Sequence, residues 1–275
     1  MIKNIVFSGG GFKCWSYIGT LQALNEFNIK DLEQIIGVSA GSFFGLIYLL
    51  NIKWEFLLDF FMDVNFKELY DIEIDNILIQ QSLFAGVKFT EIIKEIISYK
   101  IDPEITFSGL RKYSGIKFTV SALNITSSKL EYFNYILTPE IKVVDAIRAS
   151  CNLPLIFPPY KIGNSFYYDG GIVNNCPADI VDELSTVAFE LKLFNPNADN
   201  SNNVLNLLNT MIKIMNDTKL EKRENIYVIL DKTFDKESFN LHQTRDDIFN
   251  LYMCGYINTK EILLKNYFSL PGPTK

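Results

Sequence analysis

Apolar and polar positions along the chain alternate between two regimes. Mainly apolar runs at residues 2–7, 34–38, 116–124, 130–136, 187–194 and 226–230 predict strands, and helical periodicity fills the intervals. Phe89, Ile92, Ile93, Ile96 and Ile97 repeat at i, i+3, i+4, i+7 and i+8, which predicts an amphipathic helix. Alternation of this kind points to a layered α/β fold around a mainly parallel sheet. The oiliest stretch, 43–50, is interrupted by Asn51, Lys53 and Glu55. It falls well short of the roughly 18 to 20 apolar residues of a bilayer span, so a buried helix is expected there. Segment 54–81, acidic and aliphatic together, is the candidate for a small inserted helical cap. Turn signals at Asp102-Pro103, Leu153-Pro154 and Phe157-Pro158-Pro159, and the Asn-rich stretch 195–203, mark loops. None is long enough for a domain linker, and a single domain over 1–275 is expected.

Composition narrows the function classes. The 275 residues are 48% hydrophobic and 21% charged, an ordinary globular balance. A net charge of -6 removes the general attraction to phosphate backbones, so no nucleic-acid partner is expected. Four cysteines lie far apart, and the chain has one histidine to complete a metal set, so no structural zinc site is expected. Met1 runs directly into the first predicted strand without a secretory leader. The expected compartment is cytosol-like; a protein exported without a leader would look the same. Asp71, Glu73 and Asp75 alternate like the opening of a calcium loop, but Asn76 and Ser82 occupy the positions that need Gly and Glu, and the segment reads as a solvated face.

Gly37-Val38-Ser39-Ala40-Gly41 sits between a predicted strand and a predicted helix, the context of a nucleophile elbow. Upstream, Ser8-Gly9-Gly10-Gly11-Phe12-Lys13 joins the first strand to a helix starting near Phe12; three successive glycines let main-chain N–H groups converge on an anion. A dinucleotide reading fits poorly, because Cys14 stands where the third glycine of that pattern belongs. The oxyanion of an acyl intermediate fits better beside a nucleophilic serine. The base is open between His242, which with Asp169 would give a triad, and Asp169 alone, delivered by the strand Phe166-Tyr167-Tyr168 and followed by the turn Gly170-Gly171.

Together the glycine loop, the elbow and Asp169-Gly170-Gly171 resemble the motifs of the patatin-like phospholipase family. Ser82-Leu83-Phe84, and residues 146–150 followed by Pro154 and Phe157-Pro158-Pro159, resemble its intermediate blocks, so the likeness spans about residues 4–180. Lys13 stands where Arg is common and Cys14 where Gly is common. The resemblance implies a three-layer α/β/α fold and a lipid acyl hydrolase acting on lipid or phospholipid esters without a cofactor. It assigns Ser39 and Asp169 as a catalytic dyad and Gly9, Gly10 and Gly11 to the oxyanion hole, with Lys13, Gly37, Gly41, Gly170 and Gly171 in support. A non-catalytic interaction or storage protein on the same fold is the alternative of another class. Arg148 is a candidate for a lipid phosphate or an ordinary salt bridge, and Lys219, Lys222 and Arg223 for transient contact with a membrane surface. Phe43, Phe44 and Leu46 are candidates for an acyl groove wall or for plain core.

Overall fold

The computed structural model describes residues 2–64, 82–191, 225–230 and 243–267. Its centre is one eight-stranded sheet. Strands β1 (Asn4–Phe7), β2 (Gln34–Val38), β3 (Lys117–Asn124), β7 (Thr186–Leu191) and β8 (Ile226–Leu230) run parallel in the order β3-β2-β1-β7-β8. Three antiparallel strands complete it: β4 (Lys129–Phe133), β5 (Tyr160–Ile162) and β6 (Ser165–Asp169). The α/β class with a mainly parallel sheet is the one the alternating pattern predicts. Short strands placed between helices cannot be joined by hairpins, so they pair in parallel through crossovers.

Seven α-helices lie among the described residues: α1 (Ser16–Phe27), α2 (Ala40–Leu49), α3 (Trp54–Asp63), α4 (Val87–Ser98), α5 (Phe107–Ser114), α6 (Val143–Ser150) and α7 (Arg245–Tyr267). Side chains alternate across the strands. Ile5, Phe7, Ile35, Phe118, Val120, Val187 and Phe189 join the main core with the helices, whereas Val6, Ile36 and Ala188 meet Ala178, Cys176 and Val181 in a second, smaller core. The stripe Ile248, Leu251 and Tyr252 of α7 is buried, as its helical spacing predicts, and Trp54 of α3 stacks on Tyr252 at 5.6 Å. Leu57 and Phe61 place α3, the first part of the expected cap, in the main core; 65–81 lie outside the described residues. No helix among the described residues is long and apolar enough to cross a membrane.

Strand register positions the site. Ser121 of β3 pairs with Val38 of β2 and with Tyr132 of β4, while Ala122 pairs with Glu131 of β4 and with Asp169 of β6. A strand has two edges, and β4 occupies one of them at both residues. Strands β2 and β6 therefore share the other edge of β3, running toward each other and stopping at adjacent rungs. The residue after Val38 is Ser39, and the residue at the end of β6 is Asp169.

Candidate active site

Ser39 occupies the turn between β2 and α2 with φ 52° and ψ −135°, a left-handed conformation a serine seldom adopts. The surroundings hold it there. Its N–H donates to the Ser150 hydroxyl at 2.8 Å, and its carbonyl accepts from the Ser42 hydroxyl at 2.6 Å and the Ser42 N–H at 2.9 Å. The Ser150 hydroxyl in turn donates to the carbonyl of Ser121 at 2.6 Å. One hydroxyl on α6 thus ties the elbow to the end of β3. Gly37 and Gly41 flank the turn where the main chain of α2 passes the ends of β1 and β2.

Opposite the elbow, the glycine loop leaves β1. Its helix begins later than the sequence suggests: a 3₁₀ turn spans Gly11–Trp15 and the α-helix starts at Ser16. The delay follows from the glycines, since Gly11 has φ 52° and the Lys13 N–H closes a tight turn onto Gly10. The three amides are not equivalent. Gly9 donates its N–H to the Asn175 carbonyl at 3.2 Å, which corrects the expectation of three free donors; those of Gly10 and Gly11 have no hydrogen-bond partner among the described residues. Gly9 lies against the nucleophile turn, where an added Cβ would come within 3.0 Å of the Ser39 Cβ. Lys13 is buried behind the loop, and burial lowers its ammonium below the ordinary lysine value.

Asp169 is 2% exposed. Its carboxylate accepts from the Gly171 N–H at 2.7 Å and has the Ser39 hydroxyl as a hydrogen-bonding partner. Burial pushes its pKa up to about 7, and those two hydrogen bonds hold it from rising further. Gly170 lets the turn press against the carbonyl of Ser121. Next to the pair, the Cys151 thiol lies within reach of the Ser39 and Ser42 hydroxyls; burial, then the Asp169 charge, raises its pKa, so it remains a neutral thiol. A buried carboxylate, a serine hydroxyl that lowers its pKa and a glycine loop lying against the nucleophile turn are the kinds of group that acyl transfer uses.

A family model described as "Patatin-like phospholipase" matches residues 5–182. The chain belongs to the patatin-like phospholipase family. Over 187 residues, 65% of the chain, it is 31% identical to "Probable lipid hydrolase 463L" of Invertebrate iridescent virus 6, covering 62% of that protein's length. It is 29% identical over 215 residues to "Triacylglycerol lipase 4" of Saccharomyces cerevisiae, covering 23% of that protein. In fold it is similar to VipD from Legionella pneumophila, with a TM-score of 0.69 at 17% identity over 96% of this chain and 67% of that one.

Beyond the patatin-like motifs, the structure brings in residues the sequence reading passed over. Asn175 receives the Gly9 N–H, donates its side-chain amide to the Gly9 carbonyl at 3.1 Å, and sits where a Cβ on either Gly9 or Gly171 would strike its Oδ1. It therefore clamps the glycine loop to the Asp169 turn. Asn152 accepts the Asp169 N–H on its carbonyl at 2.9 Å, and Asn152 is held by Arg148 at 2.6 Å. Arg148 is 1% exposed and stacks over Phe157 at 4.3 Å. It is an internal brace held by the Gly86 carbonyl, Asn152 and aromatic rings, where the sequence leaves the choice between a lipid phosphate and an ordinary salt bridge. Phe44 and Leu46 are fully buried and Phe43 packs on Phe61, so these three are core side chains. His242, Asp71, Glu73, Asp75, Lys219, Lys222, Arg223 and 195–203 lie outside the described residues. The four cysteines are free thiols, and no cluster of three His, Cys, Asp or Glu side chains suited to a metal occurs among the described residues.

Ser150→Ala tests the tie between elbow and sheet. It leaves the Ser39 N–H and the Ser121 carbonyl without that hydroxyl in a buried site, a cost of about 2 kcal/mol. A lower urea midpoint is expected, with kcat on a soluble ester reduced about tenfold. An unchanged midpoint and unchanged kcat would show that the bridge contributes nothing.

Proposed function

We propose that the protein is a serine-dependent lipid acyl hydrolase of phospholipase A type that works through a Ser39-Asp169 dyad. One observation supports the reading most: β2 and β6 end on adjacent rungs of the same edge of β3, so the turn carrying Ser39 and the strand end carrying Asp169 are neighbours, and the Ser39 hydroxyl lowers the pKa of the buried carboxylate. The ionised carboxylate accepts the serine proton as Oγ attacks the ester carbonyl. The N–H groups of Gly10 and Gly11 stabilise the resulting oxyanion, with Gly9 and Asn175 shaping the loop. Collapse of that intermediate expels the alcohol, which takes the proton from Asp169. A water molecule then attacks the acyl-enzyme, giving its proton to Asp169; collapse of the second intermediate breaks the bond to Oγ, Asp169 returns the proton to the Ser39 oxygen, and the fatty acid is released.

A fluorophosphonate probe with an alkyl chain tests this directly, because it reacts only with an activated serine. The expected result is one adduct on the tryptic peptide carrying Ser39, together with loss of turnover on both phosphatidylcholine and a short p-nitrophenyl ester. His242→Ala is expected to keep its turnover. Loss of activity in a folded His242→Ala protein would replace the dyad with a triad, and hydrolysis that persists in Ser39→Ala would remove the proposal.

A further inference from the structure

Two of the family-like blocks form one structure. Leu83 donates its N–H to the carbonyl of Leu155 at 2.9 Å, and Phe84 donates to Ile156 at 2.9 Å, so segment 82–87 is laced to segment 153–157. The underside is solid: Phe84 lies 6.3 Å from Phe157, Phe89 stacks on Phe157 at 5.9 Å, and the Arg148 guanidinium reaches the Gly86 carbonyl at 3.3 Å. Three apolar side chains of the laced segments nonetheless reach solvent. Leu83 is 39% exposed, Leu155 40% and Val87 58%. Leu155 has φ 68°, a left-handed conformation costly for a leucine. A strained backbone that turns a large apolar side chain to water is hard to account for by folding alone.

Charge says what this surface fits. There is no Asp, Glu, Lys or Arg from 82 to 87 or from 149 to 160, although the chain as a whole is 21% charged. The first charged residues beyond the two exposed ends are Lys88 and Lys161, both exposed. Uncharged apolar segments flanked along the chain by exposed lysines match the boundary of a phospholipid layer, where acyl chains lie beneath phosphates. The net charge of -6 opposes attachment to a strongly anionic surface. The laced segments are also close to the chemistry: Asn152, which bonds the Asp169 N–H, is three residues from Leu155, at most about 11 Å of chain.

We propose that Leu83, Val87 and Leu155 are the elements by which the protein docks on a zwitterionic lipid surface, beside the site that takes its substrate from that surface. The inference deepens the hydrolase reading and depends on it for the substrate, but the docking can be read without any turnover. The full chain is floated with phosphatidylcholine vesicles, and hydrolysis is measured both on those vesicles and on monomeric p-nitrophenyl butyrate. Leu83→Asp/Leu155→Asp is expected to reduce vesicle association and vesicle hydrolysis at least tenfold while leaving butyrate turnover within twofold. Leu155→Gly relieves the left-handed strain; it is expected to keep or raise the thermal midpoint and still weaken vesicle association several-fold. Wild-type flotation by either variant would overturn the inference. So would association that requires phosphatidylglycerol and disappears in salt, or a loss of butyrate turnover in the folded double variant. Flotation without any turnover by the wild type would instead defeat the hydrolase reading and leave the docking surface standing.

Discussion

Asp169→Asn is expected to lower kcat on a soluble ester by about 10³ to 10⁴-fold and, in the same protein, to raise the thermal midpoint at pH 8. Both follow from burying a carboxylate whose partners among the described residues are a serine hydroxyl and one main-chain amide. In the unfolded chain an Asp ionises near 3.9, while the folded site holds it at about 7. The folded state therefore binds the proton more tightly, and this group's contribution to stability is complete below the unfolded value and is lost as pH rises through about 7. The full shift corresponds to a ceiling of about 4 kcal/mol, and a net gain of about 1–2 kcal/mol is reasonable for the amide after its own imperfect pairing. The variant should thus be more stable than the wild type at pH 8 and equal to it near pH 4. Wild-type kcat/KM should climb about tenfold per unit below pH 7 and level above it, because only the ionised form takes the serine proton. Differential scanning calorimetry at the two pH values and a pH–rate profile check the pair of effects. A variant less stable at pH 8 than at pH 4 relative to wild type would mean that the carboxylate is ionised without penalty, and the dyad would lose its base of matched pKa.

The parts of this site that were legible in the sequence are those that a local rule controls. The elbow needs glycines on either side of Ser39, and β2 occupies the predicted residues 34–38 because the apolar run ends where the turn begins. Strand β8 likewise spans the predicted 226–230. Strand β4 stops at Phe133, short of the expected Ile136, because the Asn134 side chain accepts the N–H groups of Ile136 and Leu137 and bends the chain into a turn. The partners of the dyad are a different matter. That the strand carrying Asp169 ends beside the Ser39 turn depends on β6 pairing antiparallel with the last rungs of β3, a long-range register that no window of sequence contains. The bonding roles of Ser150, Asn152 and Asn175 have no local signal for a related reason. Each acts by bonding main-chain groups of segments remote in sequence, and an isolated Ser or Asn carries no local mark of such a partner. The burial of Arg148 has no local signal either, since arginine is usually exposed; three aromatic rings, Phe89, Phe157 and Tyr160, lie within 5.6 Å of its guanidinium.

Gly41→Ala is expected to unmake the elbow itself. Strand β1 ends directly beneath the first turn of α2, and a Cβ on Gly41 would come 2.3 Å from the Ser8 carbonyl oxygen and 2.4 Å from that of Phe7. Both are main-chain atoms in a fully buried strand end, and the Tyr17 hydroxyl further pins the Ser8 carbonyl at 2.9 Å, so neither can swing aside as a flexible side chain would. Accommodating the methyl requires α2 to lift from the sheet, which withdraws Ser39 from Asp169 and from the glycine loop together. Overpacking of this kind costs about 3 kcal/mol or more, which for a chain of this size lowers the midpoint by roughly 6–12 °C. Ester turnover should fall at least a hundredfold even below the new midpoint, since the loss is one of geometry. Gly115→Ala supplies the comparison: its φ of 69° strains an alanine, but nothing lies within 4 Å of the added methyl. A cost of about 1 kcal/mol with full activity is expected there. Equal midpoints for the two variants would show that backbone strain, and not the contact between α2 and the end of β1, is what makes glycine necessary at 41.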